Sequence, residues 1–156
     1  MSDAREIIEA LCDLMGSRLP GLTRVDSGME AQLEWRYGRL NLTFDHDQEA
    51  ESIRIFICVP PPAGAGPEFL TWCLATNVLY WDVKLGLDGP GMLVVHADVD
   101  LEQADLVRTA EVLLGRVDAM SELIDGDLVA YIDKHGLATP AQADRWAAWV
   151  DPDAPA

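Results

Sequence analysis

Residues 69–88, FLTWCLATNVLYWDVKLGLD, together with residues 91–101, GMLVVHADVDL, decide the fold. Apolar side chains recur at helical spacing in the first part, which predicts a short, rather apolar helix over residues 68–80. The apolar residues then alternate with polar ones and predict a strand; they are Trp81, Val83, Leu85 and Leu87. A Gly/Pro turn at residues 88–91 leads into a further strand over residues 92–99. The stretch therefore predicts a helix followed by a β-hairpin.

The rest of the sequence adds a helix and three strands before this unit and a long helix after it. Residues 4–15 carry apolar side chains at steps of three and four, whereas residues 30–37, 39–45 and 53–59 alternate with a period of two. Residues 18–28 are rich in turn-forming residues and predict a loop. From about Asp100 onwards, an apolar seam predicts a helix that continues past Gly126 to Ile132.

The order α-β-β-β-α-β-β-α predicts an α+β fold, a two-layer sandwich in which helices cover one face of an antiparallel five-stranded sheet. We expect one domain over residues 1–135, and a short C-terminal helix carrying Trp146 and Trp149, with a frayed tail, over residues 136–156. The fifth strand is apolar on both faces, with Met92 and Val94 on the outer one. This pattern predicts a central strand or a subunit contact.

Composition and charge exclude several classes of function. The chain has 156 residues, 49% of them hydrophobic and 24% charged, which suits one globular domain. Against 11 Lys and Arg stand 27 Asp and Glu, so the formal net charge is −16. Nucleic-acid backbones and anionic membranes are repelled by such a field, and neither is expected as a partner.

Cysteine usage and the N-terminus predict a cytoplasmic location. Three cysteines in apolar stretches are too few for a disulfide framework and indicate a reducing compartment. The N-terminal residues are mixed in charge rather than basic and then apolar, so no export signal is expected. The longest uncharged stretch, residues 55–67, is too short and too rich in proline to span a bilayer.

No set of residues predicts catalysis, a cofactor or a metal site. His46 lies in a charged turn that lacks the glycine and terminal glutamate of a calcium loop, and the Gly/Pro turns lack a phosphate-binding signature. Close carboxylate pairs are expected by chance among 27 acidic residues, and Asp98 with Asp100 is better explained as a helix cap. A rival hypothesis is a small-molecule binder or enzyme with residues 60–67 as a lid above Cys73 or His96.

The stretch at residues 69–101 resembles the type III secretion chaperone-like fold, which includes the CesT-type class I chaperones and the YbjN domains. The resemblance is carried by a helix with Asn77 near its end, a strand ending in the GLD turn at residues 86–88, and a further strand before the long helix. It implies a non-enzymatic homodimeric chaperone or adaptor that holds an extended segment of a client protein. A YbjN-like regulatory role without secretion remains open, as does a DNA mimic acting through surface acidity.

Two groups of apolar residues are the predicted contact sites. We expect the client segment at the first helix and first hairpin, at Ile8, Leu11, Trp35, Leu42 and Phe44. We expect the dimer contact at the second helix and the last two strands, at Phe69, Trp72, Trp81, Met92 and Val94. The same residues also suit an ordinary core, so the sequence leaves both assignments as predictions.

Overall fold

The computed structural model describes residues 3–62, 65–88 and 92–137. Along these residues the elements follow in the order α1 (Ala4–Met15), β1 (Thr23–Val25), β2 (Gly28–Trp35), β3 (Gly38–Asp47), β4 (Ser52–Val59), α2 (Pro67–Leu79), β5 (Lys84–Leu87), β6 (Leu93–Asp100), α3 (Leu106–Ser121), a π-helical segment (Glu122–Leu128) and α4 (Val129–His135). The predicted C-terminal helix with Trp146 and Trp149 lies outside the described residues and stays a prediction.

The strands form one antiparallel sheet in the order β1-β2-β3-β4-β6-β5. The α+β class and the antiparallel sheet are confirmed, but the predicted number of strands was wrong. The additional strand is β1, which lies inside the segment expected to be a loop and pairs with β2 from Thr23 opposite Glu30 to Val25 opposite Gly28. Three residues are too few to show an alternating pattern, which explains the omission.

One face of the sheet is buried and the other faces outward, as the alternating patterns predicted. In β4 the side chains of Ile53, Ile55 and Ile57 are fully buried, whereas Arg54 and Cys58 on the other face are exposed. The helices supply the other half of the core, since α1 contributes Ile7, Ile8, Leu11 and Met15 and α3 contributes Ala110, Leu113, Val117 and Met120. The fold is therefore a two-layer arrangement with a single apolar core.

The strand that was apolar on both faces lies inside the sheet. It is β6, which pairs with β4 on one side and β5 on the other, so its prediction as a central strand is confirmed. β6 follows β5 in the chain but lies between β5 and β4 in the sheet. The last described strand in the sequence therefore joins β5 to the other strands. Among the described strands, β5 and β1 are left at the two edges.

The last helical region runs continuously from Leu106 to His135 through the π-helical segment. Its extension past Gly126 is confirmed, but its expected start near Asp100 was wrong. Asp100 ends β6, and the helix is capped by Asp105, whose carboxylate accepts the Arg108 backbone N–H at 3.1 Å. At the other end Gly136 adopts φ 59°, the left-handed conformation that commonly terminates a helix.

Candidate partner-binding surfaces

Helix α2 is apolar on the side that faces the core. It starts at Pro67, whose fixed φ suits the first helical position, and Phe69, Cys73 and Thr76 are buried. The Phe69 ring stacks on Trp72 at 5.6 Å between centroids and lies 5.5 Å from the ring of Tyr131 in α4. These contacts fix the helix against the end of the α3–α4 region.

The opposite side of α2 is also apolar, and it is exposed. Side chains four residues apart on a helix share one side, and Leu74 and Val78 are 70% and 78% exposed there. The chain continues this exposure with Trp81, which is 89% exposed. We name this region the apolar α2 surface; it comprises Leu70, Leu74, Val78, Leu79 and Trp81. A helix that is apolar on all sides is ordinarily covered on all sides, so the surface is a binding candidate.

Charged groups are scarce along this surface. Between residues 68 and 83, Glu68 and Asp82 are the charged side chains, although the whole chain carries a formal charge of −16. The next basic residue, Lys84, directs its Nζ inward to the carbonyl oxygens of Asn77 at 2.9 Å and Tyr80 at 2.7 Å. A cation at this position stabilises the carbonyl end of a helix. The apolar α2 surface is therefore a nearly neutral area on a strongly acidic protein.

The structure distributes the predicted dimer residues over three environments. Phe69 is buried in the core, and Trp72 is half-buried against it. Met92 and Val94 are half-buried on the outer side of the sheet. Trp81 alone of the five is highly exposed; its expected place on the core face of a strand was wrong, because β5 begins only at Lys84. The dimer assignment itself stays a prediction.

Sequence reasoning missed four members of the apolar α2 surface, Leu70, Leu74, Val78 and Leu79. The sequence did contain a signal of this surface. Phe69 and Cys73 make one side of the helix apolar, and Leu70 and Leu74 make a neighbouring side apolar, so the helix lacks a polar side. Such a pattern indicates that a second body covers the helix.

The predicted client residues come together, but in the interior. Leu11, Leu42 and Phe44 are fully buried between α1 and the sheet, and Ile8 and Trp35 are 5% and 8% exposed. A partner can contact the first three side chains only if α1 moves away from the sheet. Their assignment as client contacts stays a prediction, and the described surface beside them is the accessible alternative.

That neighbouring surface contains a depression of about 680 Å3 between the start of α1, β1 and the end of β3. It is lined by Asp3, Ala4, Arg5, Ile8, Arg24, Val25, Asp26, Ser27, Gly28, His46 and Gln48. Ile8 thus connects the core to this opening. Its two arginines are already engaged, since Arg24 contacts Glu9 at 2.6 Å and Arg5 contacts the same carboxylate at 3.2 Å.

Most arginines of the described chain are paired internally. Seven of the eight arginines among the described residues lie within 4.0 Å of a carboxylate, in the pairs Arg5–Glu9, Arg18–Asp118, Arg24–Glu9, Arg36–Asp133, Arg39–Glu34, Arg54–Asp98 and Arg116–Asp82. Asp98 therefore pairs with Arg54 and is not the helix cap that the sequence suggested. Since acidic residues greatly outnumber basic ones, the charge left available to a partner is negative.

Two residues named in the rival enzyme hypothesis, Cys73 and His96, lie in different surroundings. Burial raises the pKa of the Cys73 thiol to about 12, so the nucleophilic thiolate is strongly disfavoured. His96 lies on the outer side of the sheet, opposite Phe56 in β4 and Lys84 in β5. Neither residue lines the 680 Å3 depression or the shallower one of about 510 Å3 between β3 and β4.

Two further findings concern metal ions and membranes. Within residues 3–62, 65–88 and 92–137, no three His, Cys, Asp or Glu side chains are grouped so that they could hold a metal ion. No helix in the same part of the chain has the length and apolar character required to cross a bilayer.

The comparisons with known proteins find similarity in fold. No protein-family model and no curated protein matches the chain. A chain of the HopA1–SchA chaperone–effector complex matches with a TM-score of 0.51 and 18% identity over 77% of this chain and 95% of that one. A chain of the ExsC–ExsE complex matches with a TM-score of 0.55 and 19% identity over 79% and 94%.

A third structure, the Yersinia pestis type III secretion chaperone SycH in complex with a stable fragment of YscM2, gives a TM-score of 0.46 at 16% identity over 76% and 97%. At such identities the likeness is one of fold. The likeness to the first two structures, whose TM-scores exceed 0.5, agrees with the resemblance at residues 69–101: the chain has a type III secretion chaperone-like fold.

Proposed function

We propose that this protein is a non-enzymatic, acidic, homodimeric chaperone or adaptor that holds an extended segment of a partner protein. The observation that carries the proposal is the exposed apolar α2 surface, because it offers area for association and no reacting group. The fold adds support, since a chain of similar fold occurs in a structure described as a chaperone–effector complex. Three free cysteines favour a cytoplasmic location.

A second copy of the chain is the proposed occupant of the apolar α2 surface. Two copies that each carry a formal charge of −16 repel one another over most of their surfaces. The repulsion is weakest where charged side chains are scarce, and the apolar α2 surface is such a place. A twofold axis there would bring Leu74, Val78 and Trp81 of both copies together, which satisfies the self-complementarity of a symmetric dimer.

The partner segment is proposed to bind at the other end of the sheet. Strand β1 is an edge strand, and outside its pairing with β2 it makes no backbone hydrogen bond to another described residue. An extended segment can lie along such an edge and bond the outward-facing main-chain groups of Arg24, with its further contacts made by side chains. The depression beside Ile8 and Val25 can receive its side chains. A segment with basic residues fits best, because the whole chain carries a formal charge of −16.

Peptide binding tests the proposal directly. An array of extended 20-residue peptides, in which apolar residues alternate with lysine or with glutamate, is exposed to the purified protein, and the tightest binder is titrated by fluorescence anisotropy. We expect the lysine series to bind and the glutamate series to fail, with affinity falling as salt rises from about 0.05 to 0.5 M because charge attraction is screened. Hydrogen exchange should slow at the Arg24 amide, which faces away from β2.

Two variants sharpen this experiment. Arg24→Pro removes the main-chain donor of β1 that faces away from β2 and should weaken the peptide, whereas Val107→Ala removes an exposed apolar group from α3 and should leave the affinity unchanged. Equal binding of the two peptide series, or a footprint away from α1 and β1, would contradict the proposed mode of partner binding.

A further inference from the structure

The outer edge of β5 carries an unusual hydrogen-bond partner. The backbone N–H of Leu85 donates to Asn77 Oδ1 at 2.6 Å, and Asn77 Nδ2 donates to the Leu85 carbonyl oxygen at 3.0 Å. One side-chain amide thus bonds both main-chain groups of one strand residue. The amide offers a donor and an acceptor side by side, as a paired strand residue does.

The register places these two groups on the free side of β5. In an antiparallel pair, successive residues direct their main-chain groups alternately towards the partner strand and away from it. The Asp88 N–H bonds the Met92 carbonyl oxygen at 3.1 Å, so Asp88 faces β6, and Gly86 and Lys84 face it by the same alternation. Leu85 and Leu87 therefore face outward, and Asn77 occupies the first of these two positions.

The amide is held firmly in this position. Asn77 lies near the end of α2, which is anchored in the core by Phe69 and Cys73. Its own carbonyl oxygen accepts from Lys84 Nζ at 2.9 Å, so α2 and β5 are joined on both sides of the amide. Moving the Asn77 backbone away from β5 therefore requires α2 to move as well.

We infer that Asn77 closes the β5 edge of the sheet to an incoming strand. An unprotected edge strand is a template for pairing with another chain. In β5, with four residues and two outward positions, occupation of Leu85 leaves Leu87 alone, and a single residue does not support a strand. A second copy can then meet α2 and β5 through side chains but does not extend the sheet across this edge. The inference stands whether or not a partner pairs at β1.

Amide hydrogen exchange followed by NMR on the full chain tests the inference. In the unaltered protein, the Leu85 amide should exchange at least about tenfold more slowly than the Leu87 amide, although both lie on the outer edge. In Asn77→Ala the Leu85 amide should exchange at least about tenfold faster. Thr71→Ala, an exposed substitution on the same helix, should leave it unchanged.

Asn77→Asp separates the two hydrogen bonds and provides a second variant should Asn77→Ala fold poorly. The carboxylate still accepts from the Leu85 N–H but no longer donates to its carbonyl, so the amide stays protected. Size measurement should show species larger than those of the unaltered protein for Asn77→Ala only. Strong protection of Leu87 in the unaltered protein, or an unchanged Leu85 amide in folded Asn77→Ala, would overturn the inference.

Discussion

The phenolic O–H of Tyr80 donates a 2.6 Å hydrogen bond to Oδ2 of Asp127. This bond joins the residue after α2 to the π-helical segment, 47 residues further along the chain. Burial first, and then the neighbouring carboxylate, raise the pKa of Tyr80 far above its ordinary value, so the phenol remains a donor throughout the neutral range. The apolar α2 surface is thus attached to the last helical region by a polar bond.

Removing this bond should loosen the end of α2. Tyr80→Phe is expected to lower the free energy of unfolding by about 1–2 kcal/mol, because a hydrogen bond to a carboxylate is lost. Asp127→Ala, which removes the acceptor, should cost a similar amount, and the double variant should cost less than the sum of the two. Urea unfolding of the four proteins measures the coupling. Strict additivity of the two losses would show that the bond contributes nothing.

A charge on the apolar α2 surface should dissociate the dimer. Val78→Asp places a carboxylate on a 78% exposed site that the proposed interface buries, so light scattering should report the mass of one chain. Val107→Asp on α3 is the matched control, since this valine is 55% exposed and lies away from the interface. If the unaltered protein is already a single chain, or if both variants dissociate alike, self-association through α2 is wrong.

The three cysteines should differ in reactivity. At pH 8 a thiol with a pKa of about 12, as for Cys73, is ionised to about 0.01%, against about 10% at the ordinary value of 9.0. Maleimide at pH 8 should therefore modify the exposed Cys58 first and leave Cys73 intact until the protein unfolds. Mass spectrometry of the digested protein identifies the modified residue. Early labelling of Cys73 would revive the enzyme hypothesis.

The same shift predicts a loss of stability in alkali. The folded chain keeps Cys73 protonated, whereas the unfolded chain releases this proton near pH 9.0, so the contribution is complete below pH 9.0 and is lost as the pH rises towards 12. Cys73→Ala removes the titrating group and should reduce the fall in unfolding free energy between pH 8 and 10.5. If the unfolding free energy decreases equally in both proteins, groups other than Cys73 cause the decrease.

Two glycines should respond in opposite directions to alanine. A Cβ at Gly28 would lie 1.8 Å from the Phe44 carbonyl oxygen, so β2 must separate from β3, and Gly28→Ala should lose more than about 2 kcal/mol. At Gly115, in the exposed interior of α3, nothing lies within 4 Å of the new Cβ. Gly115→Ala should gain about 0.5–1 kcal/mol through better helix propensity. Thermal unfolding of both variants measures the difference.

The strands with one buried face were predictable because burial enforces a period of two. Residues such as Ile53 and Ile55 alternate with exposed Arg54, so β4 was recognised from its sequence. The exposure of neighbours on α2 was not predictable. Phe69 and Leu70 are both apolar, and only the orientation of the helix against Tyr131 decides that the first is buried and the second is exposed.

The client residues were predicted for a related reason. Leu42 and Phe44 belong to an apolar strand face, and the sequence does not distinguish a face that receives a partner from one that receives the protein's own α1. In the structure, α1 packs against this face. Asn77 belongs to the stretch that carries the family resemblance, but its bonding to Leu85 depends on the turn between α2 and β5.

The position of β6 has a consequence for synthesis on the ribosome. β5 is translated before β6, and β6 is the only described strand with which it pairs. In a nascent chain that has emerged only to Leu87, β1 to β4 can therefore pair with one another, whereas β5 has no partner. The edge of β4 that pairs with β6 also lacks its partner until residues Leu93 to Asp100 have been translated. A chain translated to Leu87 thus carries an unfilled position beside β4, and the late addition of a single segment completes the sheet.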